Sequence, residues 1–250
     1  MMDNLFRILF RFFLFGLSLC LYPAFSAPGV AQNFLLQDGA TIVFLGDSIT
    51  QAGSQPEGYV SLFQLFCDVN GYEVQVINAG ISGHKSSDML ARLQKDVLDH
   101  KPTWVSISCG VNDVWHQFLP NHTGVPLEEY QKNMTEIVDR CLQAGAKVLL
   151  LTATPIFEKL DSPENQLLRG YNEFLRRLAQ EKKLVLCDLY QTMAEWYQQK
   201  RNEENLLTTD GVHLNPRGNR IMAAEIIRTL GAAPRELNAA KQRWELVNNL

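Results

Sequence analysis

Residues 41–50 read TIVFLGDSIT, an apolar run that ends close to a serine. The apolar and β-branched residues 41–45 predict a buried parallel strand, and Gly46 allows a sharp turn where the chain leaves the sheet. In open α/β sheets, ligands bind outside the carboxyl ends of the strands. Ser48 would therefore be exposed where a nucleophile belongs. A serine at a strand end is also a common helix N-cap, so this stretch alone leaves both interpretations open.

Two later segments favour the nucleophile. Residues 210–216 read DGVHLNP, a predicted turn that brings Asp210 and His213 together. Residues 110–113, GVND, follow directly on another apolar run, so Asn112 also lies at the carboxyl end of a predicted strand. A serine, a histidine with its own carboxylate and a side-chain amide donor are the components of an acyl-transfer site.

His213 is the candidate base for Ser48. A serine hydroxyl is a weak nucleophile at its ordinary pKa and needs a base, and an imidazole titrates near neutral pH. Among five histidines, His213 is favoured because Asp210 precedes it by three residues on a turn closed by Pro216. Asp210 would fix the imidazole tautomer and stabilise the imidazolium. A metal site at these residues would need a further ligand cluster, and none stands out, so no metal is expected.

In these motifs and their order, the chain resembles the SGNH hydrolases, also called GDSL esterases or lipases. The resemblance covers most of the length beyond the N-terminal segment. It is carried by four blocks: GDS at 46–48, NAGISG at 78–83, GVND at 110–113 and DGVH at 210–213. It implies a flavodoxin-like three-layer α/β/α sandwich with a five-stranded parallel sheet in the order 2-1-3-4-5. It also implies a serine ester hydrolase that works through an acyl-enzyme without metal or organic cofactor.

The resemblance further implies an oxyanion hole built from the backbone N–H of Ser48, the backbone N–H of Gly83 and the side-chain amide of Asn112. A glycine suits position 83 because its backbone must approach the substrate closely. The catalytic residues are then Ser48, His213 and Asp210. Neighbouring polar residues of the blocks, such as Asp47 and Asp113, are expected to hold the loops in place.

Strand-like apolar runs alternate with helical segments along the rest of the chain, which predicts a parallel sheet with helices on both faces. The predicted strands are 41–45, 74–78, 104–108, 147–153 and 184–188. The predicted helices lie near 58–69, 87–98, 127–144, 164–182, 189–200 and 216–230. From Pro234 onward, a weak pattern that includes Trp244 and Leu246 predicts an accessory helix, with a partner-binding helix as the alternative.

Residues 1–31 have the features of a secretory signal peptide. Arg7 and Arg11 come before or within a short apolar stretch, and small residues follow, with cleavage expected after Ser26 or after Ala31. An uncleaved membrane anchor is the alternative, although the apolar run is short for a full span. We therefore expect a secreted or periplasmic protein, with residues 32–250 forming a single domain.

Charge and cysteine content exclude some functions. Residues 1–31 contain two of the 23 basic and one of the 27 acidic side chains, so the mature chain has a net charge of −5. No nucleic-acid partner is expected, because such a surface needs a basic patch. The four remaining cysteines lie in apolar patterns and are interpreted as small buried hydrophobes, with disulfide pairing left open: Cys67, Cys109, Cys141 and Cys187.

The loop after Asn112 gives the only indication of the substrate. Residues 115–126 read WHQFLPNHTGVP, a mixture of aromatic and polar side chains that suits sugars. Deacetylation of a carbohydrate or small acyl ester is therefore expected ahead of a lysophospholipase or thioesterase activity. A non-catalytic binding module on the same fold and a flavin- or phosphate-binding protein are the competing classes. The sequence leaves the oligomeric state open.

Overall fold

Five parallel strands form the central sheet of the computed structural model, which describes residues 34–200 and 206–247. The strands are β1 (Thr41–Gly46), β2 (Gln75–Gly80), β3 (Trp104–Ser108), β4 (Lys147–Leu151) and β5 (Val185–Cys187). Their spatial order is β2-β1-β3-β4-β5, which confirms the order implied by the family resemblance. The predicted signal peptide or anchor, residues 1–31, lies outside the described residues.

The register places the functional segments at one edge of the sheet. In β1, Phe44 pairs with Asn78 of β2 and with Ser106 of β3, so the carboxyl ends of the three strands lie side by side. Residues 42–45 of β1 are fully buried. Their continuous apolar run follows from this burial, because a parallel sheet is covered on both faces.

The helices form two groups around the sheet. They are α1 (Ser48–Ala52), α2 (Tyr59–Asn70), α3 (Ser86–Asp96), α4 (Val111–Trp115), α5 (Leu127–Gln143), α6 (Pro163–Lys182), α7 (Leu189–Gln199), α8 (Pro216–Thr229) and α9 (Pro234–Val247), with a 3₁₀ turn at Leu98–His100. Helix α2 packs against α8 and α9, whereas α5 packs against α3 and α6, which gives the three-layer sandwich. Each predicted strand and helix is confirmed to within two residues at either end. The five-residue helices α1 and α4 were not predicted, because they are too short to show a helical period.

Helix α9 confirms the accessory helix expected at the C-terminus. Trp244 is 2% exposed, and its ring N–H donates to the Leu62 carbonyl of α2 at 3.2 Å. The Tyr72 hydroxyl donates to Glu236 at 3.0 Å. Leu246, which the sequence pattern placed on the apolar face, is more than half exposed. The helix is therefore part of the core of the domain along one side only.

The four cysteines of the described residues are free and buried, as the sequence interpretation expected. Burial raises the pKa of Cys67 and of Cys141 to about 12, so these thiols are inert at neutral pH. No helix in the described part of the chain has both the length and the apolar character needed to cross a bilayer.

Candidate active site

The serine turn joins β1 to α1. Asp47, not Ser48, is the N-cap of α1: its Oδ1 accepts from the Ile49 N–H at 2.9 Å. The Ser48 hydroxyl points to the histidine loop instead, and its Oγ lies 2.9 Å from Nε2 of His213. The alternative interpretation of Ser48 as a helix cap is therefore wrong.

Gly46 is required by crowding and not by an unusual backbone conformation. Its φ is not positive, whereas a Cβ at this position would lie 1.9 Å from the Thr50 hydroxyl. Thr50 is held from two sides, because its hydroxyl accepts from Tyr59 at 2.9 Å and its carbonyl accepts from Asn78 at 2.5 Å. The first turn of α1 thus lies directly against the end of β1, and this contact fixes the backbone that carries Ser48.

Asp210 and His213 are joined within one turn. Nδ1 of His213 lies 2.6 Å from Oδ2 of Asp210, whose Oδ1 accepts from the backbone N–H groups of Val212 at 3.0 Å and His213 at 2.8 Å. Partial burial raises the pKa of Asp210, but the hydrogen bonds from His213 and Val212 outweigh burial and leave the pKa below its ordinary value. The carboxylate is therefore ionised at neutral pH. It fixes the proton of the neutral imidazole on Nδ1, so that Nε2 can accept from Ser48.

A single carboxylate holds the segment that leads into this turn. Glu158, in the loop after β4, accepts from the backbone N–H groups of Leu206 and Leu207 at 2.9 Å each. It also accepts from the N–H of Thr208 at 2.8 Å and from its hydroxyl at 2.6 Å. The Thr208 hydroxyl in turn accepts from the Gly211 N–H at 3.1 Å. The sequence analysis missed Glu158, because its neighbours in the chain form no motif.

The loop that carries Glu158 has an unusual backbone. Phe157 and Glu158 both adopt left-handed conformations, with φ of 58° and 53°, which non-glycine residues seldom do. The Phe157 N–H donates to the Gly211 carbonyl at 2.6 Å, and its ring packs edge to face on Trp115 at 5.9 Å. This loop therefore connects the histidine turn to α4, the helix that contains Asn112.

The three predicted oxyanion donors differ in their conformation and in the hydrogen bonds that they already make. Gly83 has a φ of 77°, and a Cβ there would meet nothing within 4 Å, so the glycine is required by conformation and not by crowding within the protein. In the described part of the chain, no hydrogen bond uses the backbone N–H of Ser48 or of Gly83. Asn112 is 3% exposed and donates one amide hydrogen to the His84 carbonyl at 3.0 Å. A second hydrogen of its amide remains for a ligand. These positions are compatible with the predicted oxyanion hole, which stays a prediction.

Two buried carboxylates, Asp47 and Asp113, interact close to Ser48. The pKa of Asp47 is raised to about 6, chiefly by burial and in part by the charge of Asp113, against the lowering effect of the Ile49 N–H. Burial also raises the pKa of Asp113, although this carboxylate accepts from the Ser86 hydroxyl at 2.5 Å and from Cys109 at 3.5 Å. Asp47 caps α1 and Asp113 joins α4 to α3, which are the supporting positions expected from the sequence.

The loop expected to bind sugars is more engaged internally than its composition indicated. The Gln117 amide nitrogen lies 2.8 Å from the Asp113 carbonyl, 3.1 Å from the Val125 carbonyl and 2.8 Å from the Tyr171 hydroxyl. Gln117 therefore supports the loop. Phe118 is 43% exposed and remains open to a ligand.

This arrangement can perform acyl transfer by general base catalysis. It supplies a partly buried hydroxyl, an imidazole within hydrogen-bond distance and an ionised carboxylate behind the imidazole. In the residues that the structure describes, no group of three or more His, Cys, Asp and Glu side chains could hold a metal ion.

Comparison with known proteins gives one consistent family. The family model of the GDSL-like lipase/acylhydrolase family matches residues 44–221. An acetylxylan esterase of Geobacillus stearothermophilus is 31% identical over 209 residues, which cover 77% of this chain and 94% of that protein. Thioesterase 1/protease 1/lysophospholipase L1 of Escherichia coli strain K12 is 29% identical over 190 residues, which cover 74% of this chain and 81% of that protein.

A solved structure shows the same fold. The crystal structure of Axe2, an acetylxylan esterase from Geobacillus stearothermophilus, superposes with a TM-score of 0.72 at 28% identity, covering 80% of this chain and 97% of that chain. Solved catalytic mutants of Axe2 replace a serine, an aspartate or a histidine by alanine, and the aspartate precedes the histidine by three residues. The chain therefore belongs to the GDSL-like lipase/acylhydrolase family, the SGNH hydrolases, and is a serine carboxylic ester hydrolase of that family.

Proposed function

We propose that this esterase removes acetyl or other small acyl groups from carbohydrate esters through an acyl-enzyme on Ser48. The observation that carries the catalytic part is the hydrogen-bonded chain from the Ser48 hydroxyl through His213 to Asp210, with distances of 2.9 Å and 2.6 Å. A hydroxyl is activated by such an arrangement because the base takes its proton as it attacks.

In the first half-reaction, Oγ of Ser48 attacks the ester carbonyl while Nε2 of His213 takes the hydroxyl proton. Asp210 stabilises the imidazolium that forms. The oxyanion accepts hydrogen bonds from the backbone N–H groups of Ser48 and Gly83 and from the Asn112 amide. The ester C–O bond then breaks, and the alcohol leaves with the proton from His213.

In the second half-reaction, a water molecule attacks the acyl group on Ser48. His213 takes a proton from this water and returns a proton to the Ser48 oxygen as the carboxylic acid leaves. The products are the free alcohol and the acid. All three catalytic side chains are restored without any cofactor entering the reaction.

Two findings support a carbohydrate ester as substrate. The Geobacillus relative and the Axe2 structure are both acetylxylan esterases, and the first of them is matched over nearly its whole length. The exposed ring of Phe118 lies in the loop that follows α4. The second candidate is a thioesterase or lysophospholipase activity, which is favoured by the Escherichia coli relative.

Substrate competition tests this choice. We expect acetylated xylo-oligosaccharides to be cleaved with a higher kcat/KM than lysophospholipid or acyl-CoA thioesters. Faster cleavage of the lipid or the thioester would reverse the order of the two candidates.

Replacement of the nucleophile tests the chemistry. Ser48→Ala is expected to abolish hydrolysis of p-nitrophenyl acetate, whereas Ser54→Ala, at an exposed serine just beyond α1, is the matched control and should retain it. A phosphonate reagent should add to Ser48 in the wild type and to no residue in Ser48→Ala, as read by mass spectrometry. Equal hydrolysis by the wild type and by Ser48→Ala would mean that the mechanism is wrong and would favour a binding module.

We also propose that the enzyme is exported to the periplasm or outside the cell. This proposal is supported only by the sequence of residues 1–31. Expression in a secreting host, followed by N-terminal sequencing, should find a mature chain that begins after Ser26 or Ala31. An intact N-terminus on a membrane-bound product would support the anchor instead.

A further inference from the structure

Arg92 of α3 contacts both the serine turn and the loop that follows β2. Its side chain is only 10% exposed. Nη2 donates to the Gly46 carbonyl at 2.9 Å, Nε donates to Nδ1 of His84 at 3.0 Å, and Nη1 lies 3.3 Å from Asp96. One planar guanidinium thus binds the backbone of Gly46 and the side chain of His84 at once, which a lysine could not reproduce.

The two segments are those that carry the predicted oxyanion donors. Gly46 comes two residues before the nucleophile, and His84 follows Gly83 directly. The His84 carbonyl also accepts from the Asn112 amide at 3.0 Å. The chain of contacts from Gly46 through Arg92 and His84 to Asn112 therefore connects the ends of β1 and β3 with the loop after β2.

The contact with Arg92 requires a neutral His84. Since Nε of Arg92 donates, Nδ1 of His84 must be unprotonated and its hydrogen must be on Nε2. Burial, and after it the positive charge of Arg92, lowers the pKa of His84. The other charged groups that act on this imidazole are Lys85, Asp88 and Asp96. Asp88 and Asp96 raise the pKa, but their effect does not outweigh burial and Arg92.

We propose that Arg92 is a positioning residue of the esterase, which holds the Gly83 N–H and the Asn112 amide in register with Ser48 by binding Gly46 and a neutral His84. This proposal rests on the proposed function, because it assumes that these groups stabilise the oxyanion. Arg92 itself touches no reacting atom. Displacement of these donors weakens stabilisation of the transition state more than it weakens binding of the substrate. The effect therefore falls on kcat rather than on KM.

The test compares Arg92→Met and Arg92→Lys with Lys95→Met, which removes an exposed positive charge from the same helix. Active sites are counted with a phosphonate that labels Ser48, so that kcat refers to folded enzyme only. We expect Arg92→Met to lower kcat about tenfold to a hundredfold, with little change in KM, because oxyanion donors are typically worth about a hundredfold or more each. Arg92→Lys should lose several-fold activity, and Lys95→Met should match the wild type.

A second measurement reads His84 directly and does not depend on activity. Nitrogen-15 NMR of the imidazole should show the wild-type His84 unprotonated at Nδ1. In Arg92→Met, removal of the adjacent positive charge should raise the pKa of His84, so that it takes up a proton at a higher pH. Arg92→Lys, which keeps a positive charge, should shift this titration less than Arg92→Met does.

The outcomes separate the two proposals. Wild-type kcat per labelled site in Arg92→Met, or an unchanged His84 titration, would overturn the positioning role. If Arg92→Met does not fold, Arg92→Lys decides: full activity per labelled site would overturn the proposal, and a several-fold loss would support it. Absence of Ser48-dependent hydrolysis in the wild type would instead overturn the proposed function, and the His84 spectrum would still show whether Arg92 fixes the tautomer.

Discussion

The serine turn and the histidine loop, which meet at one hydrogen bond, are built in opposite ways. The serine turn continues a strand that is buried from Ile42 onward, and Asp47 within the turn is 2% exposed. In the histidine loop, the side chains of Asp210 and His213 are 52% and 36% exposed. Leu206, Leu207 and Val212 of this loop are buried, but its exposed Asp210–His213 turn is held chiefly by polar contacts, among them those of Glu158 with the segment that leads into it. Ser48 is thus positioned mainly by a buried strand, whereas His213 is positioned mainly by hydrogen bonds.

This difference decides what a substitution affects. Complete burial of a Leu or Phe side chain stabilises a fold by roughly 1.5–3 kcal/mol, whereas a typical hydrogen bond contributes a net 0.5–1.5 kcal/mol. Changes to the exposed polar side chains of the histidine loop should therefore reduce activity with little effect on folding. Changes in the serine turn should affect both.

The largest expected effect is that of Asp210→Asn. The amide oxygen can still accept from the backbone of Val212 and His213, but its nitrogen would face Nδ1 of His213 as a second donor. The imidazole would then favour the wrong tautomer, and we expect kcat to fall by about four orders of magnitude, as in a comparable serine protease variant. Because Asp210 is half exposed, the thermal midpoint should change by only a few degrees.

The matched control for this variant is Asp161→Asn, at another exposed aspartate. It should keep wild-type activity. A fall in kcat of less than tenfold in Asp210→Asn would show that His213 does not depend on its carboxylate. The inference that hydrogen bonds position His213 would then lose its main support.

Asn112→Ala tests the buried part of the site, at the carboxyl end of β3. Removal of one oxyanion donor lowers kcat by about a hundred- to a thousandfold. In addition, the partly buried His84 carbonyl would lose its partner, which destabilises the fold by about 0.5–1.5 kcal/mol. Stopped-flow kinetics and urea unfolding of the same preparation measure both effects. A loss of stability with unchanged kcat would remove Asn112 from the oxyanion hole and leave it a purely supporting role.

Asp47→Asn examines the buried carboxylate next to the nucleophile. The pKa of Asp47 is raised from 3.8 to about 6, chiefly by burial. Below pH 3.8 this carboxyl is protonated in both the folded and unfolded states, and above pH 6 the fold contains a buried carboxylate. The free energy of unfolding should therefore fall as the pH rises between these values, by about 3 kcal/mol from this group.

The asparagine in Asp47→Asn can still accept from the Ile49 N–H, so the cap of α1 is retained. We expect the variant to be more stable than the wild type at pH 8 and to gain little at pH 4.5, as measured by urea unfolding at both values. An equal difference at the two pH values would mean that Asp47 is not the group responsible for the slope.

The sequence predicted the parts of the site that lie at strand ends, because apolar runs and short motifs are local signals. It did not reveal Glu158 or Arg92, since the partners of Glu158 and the Gly46 carbonyl that Arg92 binds lie about fifty residues away, and only the folded chain brings them together. Gly46 was identified for the wrong reason: the crowding by Thr50 depends on a helix too short to show a period. Gln117 was interpreted as available to a sugar because composition does not reveal internal hydrogen bonds.

Glu158→Gln has the smallest expected effect and tests the comparison most directly. The amide oxygen can still accept from Thr208, but its nitrogen would face the Leu206 N–H, so two donors would oppose each other. We expect kcat to fall about tenfold, because a small displacement of His213 weakens its contact with Ser48. The thermal midpoint should fall by only about 2–4 °C.

Limited proteolysis should cut the variant faster at the histidine loop, and Glu181→Gln, at an exposed glutamate of α6, should behave like the wild type. Wild-type kcat and proteolysis in Glu158→Gln would mean that the loop is fixed by its own turn, and the two halves of the site would then not differ in how they are held.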